Sequence, residues 1–129
     1  MAQSVTAIQG FLAFQTFAVV GVSEDPEKYG HIVYHDLKDK GFKLFAVNPR
    51  LEKLGDDACY PSLKALPEPV DGAVLVVPPP VTEQVVREAA EAGIPRVWMQ
   101  PGSESDAALQ FCEANNILAV HDVCIMILT

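Results

Sequence analysis

Apolar residues are arranged along this chain in two alternating ways. Short apolar runs lie within residues 16–22, 43–47, 72–77, 96–99 and 117–120, with Lys43 and Arg96 leading the second and fourth. Each run is predicted as a strand, because β-branched and aromatic residues without alternation suit a strand buried on both faces. Between the runs, apolar positions recur every three or four residues, which predicts helices. Residues 5–14 place Val5, Ile8, Leu12 and Phe11 at that spacing. Residues 30–40 put Ile32, Val33 and Leu37 on one face, with Gly41 as the stop. Residues 81–92 align Val81, Val85, Ala89 and Ala92 ahead of Gly93, and residues 103–115 open with Ser103 and Asp106 in the spacing of a capping box. Loop signals fill residues 23–29. The long connection 51–71 offers only one helical turn, around residues 62–65.

Strands alternating with helices predict an α/β fold, a Rossmann-like three-layer sandwich with a five-stranded, mostly parallel sheet. With 129 residues, the chain is expected to form a single domain over 1–129. Area scaling gives about 6,700 Å² folded against roughly 20,000 Å² unfolded, enough burial for a proper core. That length leaves no room for separate cofactor and substrate halves.

Charge and cysteines narrow the function. The uncharged stretch from Met1 to Ser23 is interrupted by Gln3, Ser4, Thr6, Gln9, Gln15 and Thr16, and has no basic leader, so it reads as helix plus strand rather than a membrane span or signal. A net charge of -8 with nine Lys and Arg disfavours nucleic acid and anionic membrane as partners. Cys59, Cys112 and Cys124 have neither CxxC spacing nor a nearby His pair, which fits reduced thiols and a cytoplasmic location. His31, His35 and His121 suggest no metal site, and the i, i+4 pair His31/His35 is expected to face solvent. No Ser–His–Asp arrangement or acid pair stands out, so no catalytic residue is named.

Ligands of open α/β sheets bind beyond the carboxyl ends of the strands. After the first strand comes Gly21-Val22-Ser23-Glu24-Asp25-Pro26, which lacks the second and third glycines of a dinucleotide fingerprint. The segment fits either a tight turn or a helix start that receives phosphate through its N–H groups, with Ser23 adding a hydroxyl. The second strand ends in Asn48-Pro49-Arg50, where NAD-binding domains carry a carboxylate. Arg50 suits a ribose phosphate, as on NADP or coenzyme A, or else a solvated turn. Val77-Pro78-Pro79-Pro80 is either a rigid apolar wall for an adenine or plain punctuation. Trp98, near the end of the fourth strand, fits the core better than a ligand platform. Cys124 is the thiol placed closest to such a site, reactive toward a thiol or acyl group or simply buried.

Taken together these segments resemble the small stand-alone CoA-binding proteins, related to the CoA-binding domain of succinyl-CoA synthetase alpha subunits. The matching pieces are Val20-Gly21-Val22-Ser23, Val47-Asn48-Pro49-Arg50, Gly55 with Cys59-Tyr60-Pro61-Ser62-Leu63, Leu66-Pro67 with Val70-Asp71, Val97-Trp98-Met99-Gln100-Pro101-Gly102, and Asp122-Val123-Cys124-Ile125. The resemblance implies that Gly21, Val22 and Ser23 meet the pyrophosphate and that Asn48, Pro49 and Arg50 lie near the adenosine phosphate. It also implies that Val77 and Pro78 line the adenine side and that Trp98, Met99 and Gln100 border the pantetheine path, with Cys124 beside them. Lys28, Arg50 and Lys53 are the basic residues able to assist the phosphates. The acidic Glu24 and Asp25 depart from a dense phosphate cradle, and nothing corresponds to the synthetase's phosphohistidine or nucleotide-grasp domains. The expected function is binding of coenzyme A or an acyl-CoA without a catalytic centre. A small NADP-binding oxidoreductase or cofactor subunit, and a ligand-free interaction protein on the same fold, are the alternatives.

Overall fold

The computed structural model describes residues 5–129. Gln3 and Ser4 lie outside the described residues, as do the side chains of Val5 and Thr6. Helix α1 (Val5–Leu12) leads into strand β1 (Thr16–Val20), helix α2 (Tyr29–Asp39) and strand β2 (Lys43–Val47). A hairpin of β3 (Lys53–Leu54) and β4 (Asp57–Tyr60) and a 3₁₀ turn (Leu63–Ala65) follow. The second half runs β5 (Gly72–Leu75), α3 (Pro79–Glu91), β6 (Arg96–Met99), α4 (Asp106–Ala114), β7 (Leu118–Val120) and α5 (Ile125–Leu128). The strands form a sheet of order β3-β4-β2-β1-β5-β6-β7. All pairs are parallel except β3 with β4.

The fold is α/β and Rossmann-like with a mostly parallel sheet, as the alternation predicts, but it has seven strands rather than five. The two additional strands are the hairpin inside the connection 51–71. They escape the pattern because they are short and carry Lys53 and Asp57 instead of an apolar run. Their turn signal was nonetheless in the sequence: Gly55-Asp56 is a two-residue hairpin loop, with Gly55 at φ 61°.

The double burial expected of the strands comes from two helical layers. Along β1, Phe17 and Val19 join α1, α2 and α5 in one core, while Ala18 and Val20 join α3 and α4 in the other. Period-two alternation thus distributes one apolar run between two cores. Phe11 of α1 stacks on Phe17, with ring centroids 4.9 Å apart, and meets Trp98 edge-on at 5.2 Å.

Three local expectations need correction. Helix α4 starts two residues past a Ser103 cap: Ser105 is the N-cap, its Oγ accepting the Ala108 N–H at 3.0 Å. Ser103 instead closes a turn onto Gln100, and its Oγ accepts the Val77 N–H at 3.1 Å, tying the end of β6 to the end of β5. In α2, Ile32 is 41% exposed; the inward face is Gly30, Val33, Tyr34 and Leu37. His31 and His35 are half-buried rather than solvent-facing, their rings 4.2 Å apart. The short α5 was not anticipated, since four residues are too few to show a period.

Candidate functional site

Strand order reverses at β1: the chain first builds outward through β2 and β4, then returns to lay β5 on the other side of β1. Loops leaving β1 and β5 therefore diverge, and a crevice opens at their carboxyl ends. A cleft of about 830 Å³ occupies that position.

Its first wall is the junction between β1 and α2. Gly21 takes φ +98°, turning the chain out of the strand, and its N–H donates to Val47 O at 3.0 Å. A Cβ on Gly30 would lie 1.9 Å from the Gly21 carbonyl oxygen, so the first turn of α2 rests directly on the strand end. The N-cap of α2 is Lys28, and among the described residues no side chain caps the helix. The opening N–H groups and positive dipole end of α2 thus meet the cleft with a lysine beside them. Helix α3 differs: its first positions, Pro79 and Pro80, have no N–H to offer. Anion-binding capacity is therefore concentrated at α2.

Glu24 and Asp25, which depart from a phosphate cradle, are both exposed. Asp25 Oδ1 accepts the Glu27 N–H at 2.9 Å, and Ser23 Oγ accepts the Asp25 N–H at 3.1 Å. His31 Nδ1 lies 2.9 Å from Ser23 O. Because that carbonyl can only accept, the proton sits on Nδ1.

At the end of β2, Asn48 joins three loops. Its Nδ2 donates to Val22 O at 2.7 Å, its Oδ1 accepts the Arg50 N–H at 2.8 Å, and its own N–H donates to Tyr60 O at 2.9 Å. Pro49 and Arg50 are exposed on the cleft rim. The opposite wall is apolar, with Val76, Val77, Pro78, Val81 and Val85. Gln84 and Glu88 continue it down α3, facing Pro61 and Ser62. Among the described residues, Lys28 and Arg50 are the cations lining the cleft, and Glu88 is its carboxylate.

Of the residues the sequence singles out, Gly21, Val22, Ser23, Lys28, Asn48, Pro49, Arg50, Val77 and Pro78 come together around this cleft. Lys53 lies on β3 and does not line it. Trp98, Met99 and Gln100 are fully buried and do not line it either. Trp98 Nε1 donates to Val123 O at 2.9 Å, and Gln100 Oε1 accepts the Ile125 N–H at 2.8 Å, so both fasten the C-terminal segment to the sheet. Sequence reasoning missed Tyr29, Gln84 and Glu88. The stripe Val81, Gln84, Val85, Glu88, at i, i+3, i+4 and i+7, was the available signal for the α3 wall.

Cys124 stands next to the cleft, linked to it through Tyr29. Its Sγ is 3.4 Å from Tyr29 Oη and 3.3 Å from Gln100 Nε2. Desolvation pushes the thiol up, but Tyr29, Gln100 and the N–H groups of Met126 and Ile127 outweigh it and leave the thiol below its ordinary value. Among the described residues, no three His, Cys, Asp or Glu side chains group into a metal site, and no helix is long and apolar enough to cross a membrane.

Sequence comparison bears on what this crevice is for. The profile of the family described as "CoA binding domain" matches residues 15–129. The chain belongs to the CoA-binding domain family. It is 40% identical over 78 residues to the alpha subunit of an ADP-forming acetate–CoA ligase II of Pyrococcus furiosus, covering 60% of this chain and 17% of the subunit. It is 37% identical over 82 residues to an ADP-forming acetate–CoA ligase II of Archaeoglobus fulgidus, covering 62% of this chain and 12% of the ligase. The chain thus spans less than a fifth of the length of either ligase. A solved structure of its own size, a conserved hypothetical protein from Pyrococcus furiosus, superposes with a TM-score of 0.87 at 43% identity, covering 90% of this chain and 100% of that one. This CoA-binding domain therefore resembles both a segment of long ligases and a small protein of similar extent.

Proposed function

We propose that the chain binds coenzyme A or an acyl-CoA in the cleft above β1, β2 and β5, as a binding module with no catalytic centre of its own. One observation carries this reading within the family match: the cleft is polarised. The uncapped start of α2, Lys28 and Arg50 stand on one side and an apolar wall on the other. Phosphates belong with the former and the adenine ring with Val77, Pro78, Val81 and Val85. The tripeptide after β2 has an arginine and no carboxylate, which suits a ribose bearing a phosphate and works against NAD. Three free thiols suit a reducing compartment such as the cytoplasm.

The test is titration calorimetry with CoA, 3′-dephospho-CoA and NADP. CoA should bind most tightly. Arg50→Ala should weaken CoA by roughly 1.5–3 kcal/mol, about 10- to 150-fold, and leave dephospho-CoA nearly unchanged. Equal losses for both ligands would remove Arg50 from the phosphate, and no heat with CoA at millimolar concentration would end the coenzyme A reading.

A further inference from the structure

We infer that Glu88, with Gln84 one turn before it, reads the edge of the adenine base and so determines which purine the cleft accepts. The inference rests on the coenzyme A reading and goes beyond it by assigning base selection to α3. A carboxylate in a cleft meant for a polyphosphate is otherwise paradoxical, since it repels the ligand it should hold. Its place along α3 resolves this. Glu88 lies about 13 Å along the helix axis from Pro79, by the rise of an α-helix, whereas the phosphate-binding features gather at the start of α2. Between them runs the apolar stretch of Val81 and Val85, on which a purine ring can lie with its edge toward the inner end of the cleft.

Glu88 is half-buried there. Among the described residues, its Oε1 accepts one long hydrogen bond, 3.4 Å, from the Leu63 N–H. No Lys or Arg salt-bridges it among the described residues; the lysine of the facing turn, Lys64, pairs with Glu91 instead. With one oxygen on that long bond, the carboxylate lines the cleft with acceptor capacity to spare. An ionised carboxylate can only accept, while the Gln84 amide can both donate and accept. The matching edge offers an amino donor next to a ring-nitrogen acceptor, which is the 6-amino group and N1 of adenine. A 6-oxo purine sets an oxygen against the carboxylate, and no rotation of Glu88 can turn it into a donor.

The experiment compares CoA with its 6-deaminated, hypoxanthine counterpart, in which phosphates, ribose and pantetheine are unchanged. The natural chain should prefer CoA by about tenfold or more, as sites built around a substrate N–H reject analogues lacking it. In Glu88→Gln the amide oxygen can still accept the Leu63 N–H and the amide nitrogen can donate to the 6-oxo group. That variant should keep its thermal midpoint and narrow the preference to about threefold or less, by binding the deaminated form better. Equal binding of the two ligands by the natural chain, or a full preference retained in Glu88→Gln, would overturn the assignment while CoA itself still bound. Failure of CoA to bind the natural chain would remove the coenzyme A reading, and this assignment with it.

Discussion

Replacing Gly30 with alanine sets two physical effects against each other. Alanine is better than glycine inside a helix by about 1 kcal/mol, so propensity alone favours a more stable protein. The packing of α2 on β1 favours the opposite. A Cβ at residue 30 would stand 1.9 Å from the Gly21 carbonyl oxygen, 2.9 Å from its carbonyl carbon and 3.2 Å from Val22 Cα. All three are backbone atoms, and none can swing aside as a side chain would. Gly21 is itself held, with its N–H on Val47 O and no room for a Cβ of its own, which would fall 2.2 Å from Val76 O. Relief therefore requires the start of α2 to move by more than ~1 Å to reach an ordinary carbon–oxygen contact. Overpacking of this kind costs about 1–3 kcal/mol or more, and the helix gain is diminished in the first turn. The net expectation for Gly30→Ala is a loss of about 1–3 kcal/mol. At roughly 2.1 cal/mol/K per residue, that lowers Tm by about 4–11 °C. Thermal unfolding followed by circular dichroism measures it directly. A Tm equal to or above that of the natural chain would refute the close approach of α2 to the strand end, and the cleft geometry that depends on it.

Two further outcomes test the wider electrostatics. Hydrogen bonds from Lys38, then from Tyr34, hold the Asp57 carboxyl below the ordinary carboxylate range. A depressed folded-state value means stability that is present above the unfolded-state value and lost as pH falls through the folded one. Asp57→Asn should therefore be less stable than the natural chain near neutrality in urea melts, with the gap closing in strong acid; a gap independent of pH would dismiss the ionised carboxylate. Among the thiols, burial pushes Cys112 up to about 11 and raises Cys59, whereas Cys124 lies below its ordinary value. Iodoacetamide near neutral pH should label Cys124 first by peptide mapping, and Tyr29→Phe should slow that labelling by removing a donor to the thiolate. Unchanged labelling in Tyr29→Phe would show that the tyrosine hydroxyl does not tune the thiol.

The layers of the fold were legible because they rest on long, redundant patterns. A buried parallel strand needs apolar residues on both faces, and β1, β2, β5 and β6 each carry three or four consecutive apolar residues. The β3–β4 hairpin was not legible as apolar periodicity because β4 pairs with β2 at only two residues, Ala46 with Cys59 and Val47 with Tyr60. Half of its side chains need not be buried. Ser103 misled for a different reason. It has the residue type of a cap, but the Val77 N–H, distant in sequence, competes for its oxygen, and only tertiary structure reveals that competitor. The candidate site divides along the same line. Residues at strand ends could be found because topology directs ligands there, which brings Gly21, Ser23, Asn48 and Arg50 forward at once. Trp98, near the end of β6, and Gln100, just past it, are also strand-end residues, yet β6 lies beyond β5, away from the reversal, and their polar atoms turn to the C-terminal segment. The same distinction explains how a chain with a net charge of -8 can present a cleft suited to an anion. Net charge sums over the whole surface, and at physiological salt charges beyond about 8 Å are largely screened. What a phosphate would meet at contact distance is the start of α2, Lys28 and Arg50, whereas Asp25 is turned onto its own loop and Glu88 stands at the inner end of α3. The sign of the site is therefore set by where a few groups are held, and composition carries no information about that.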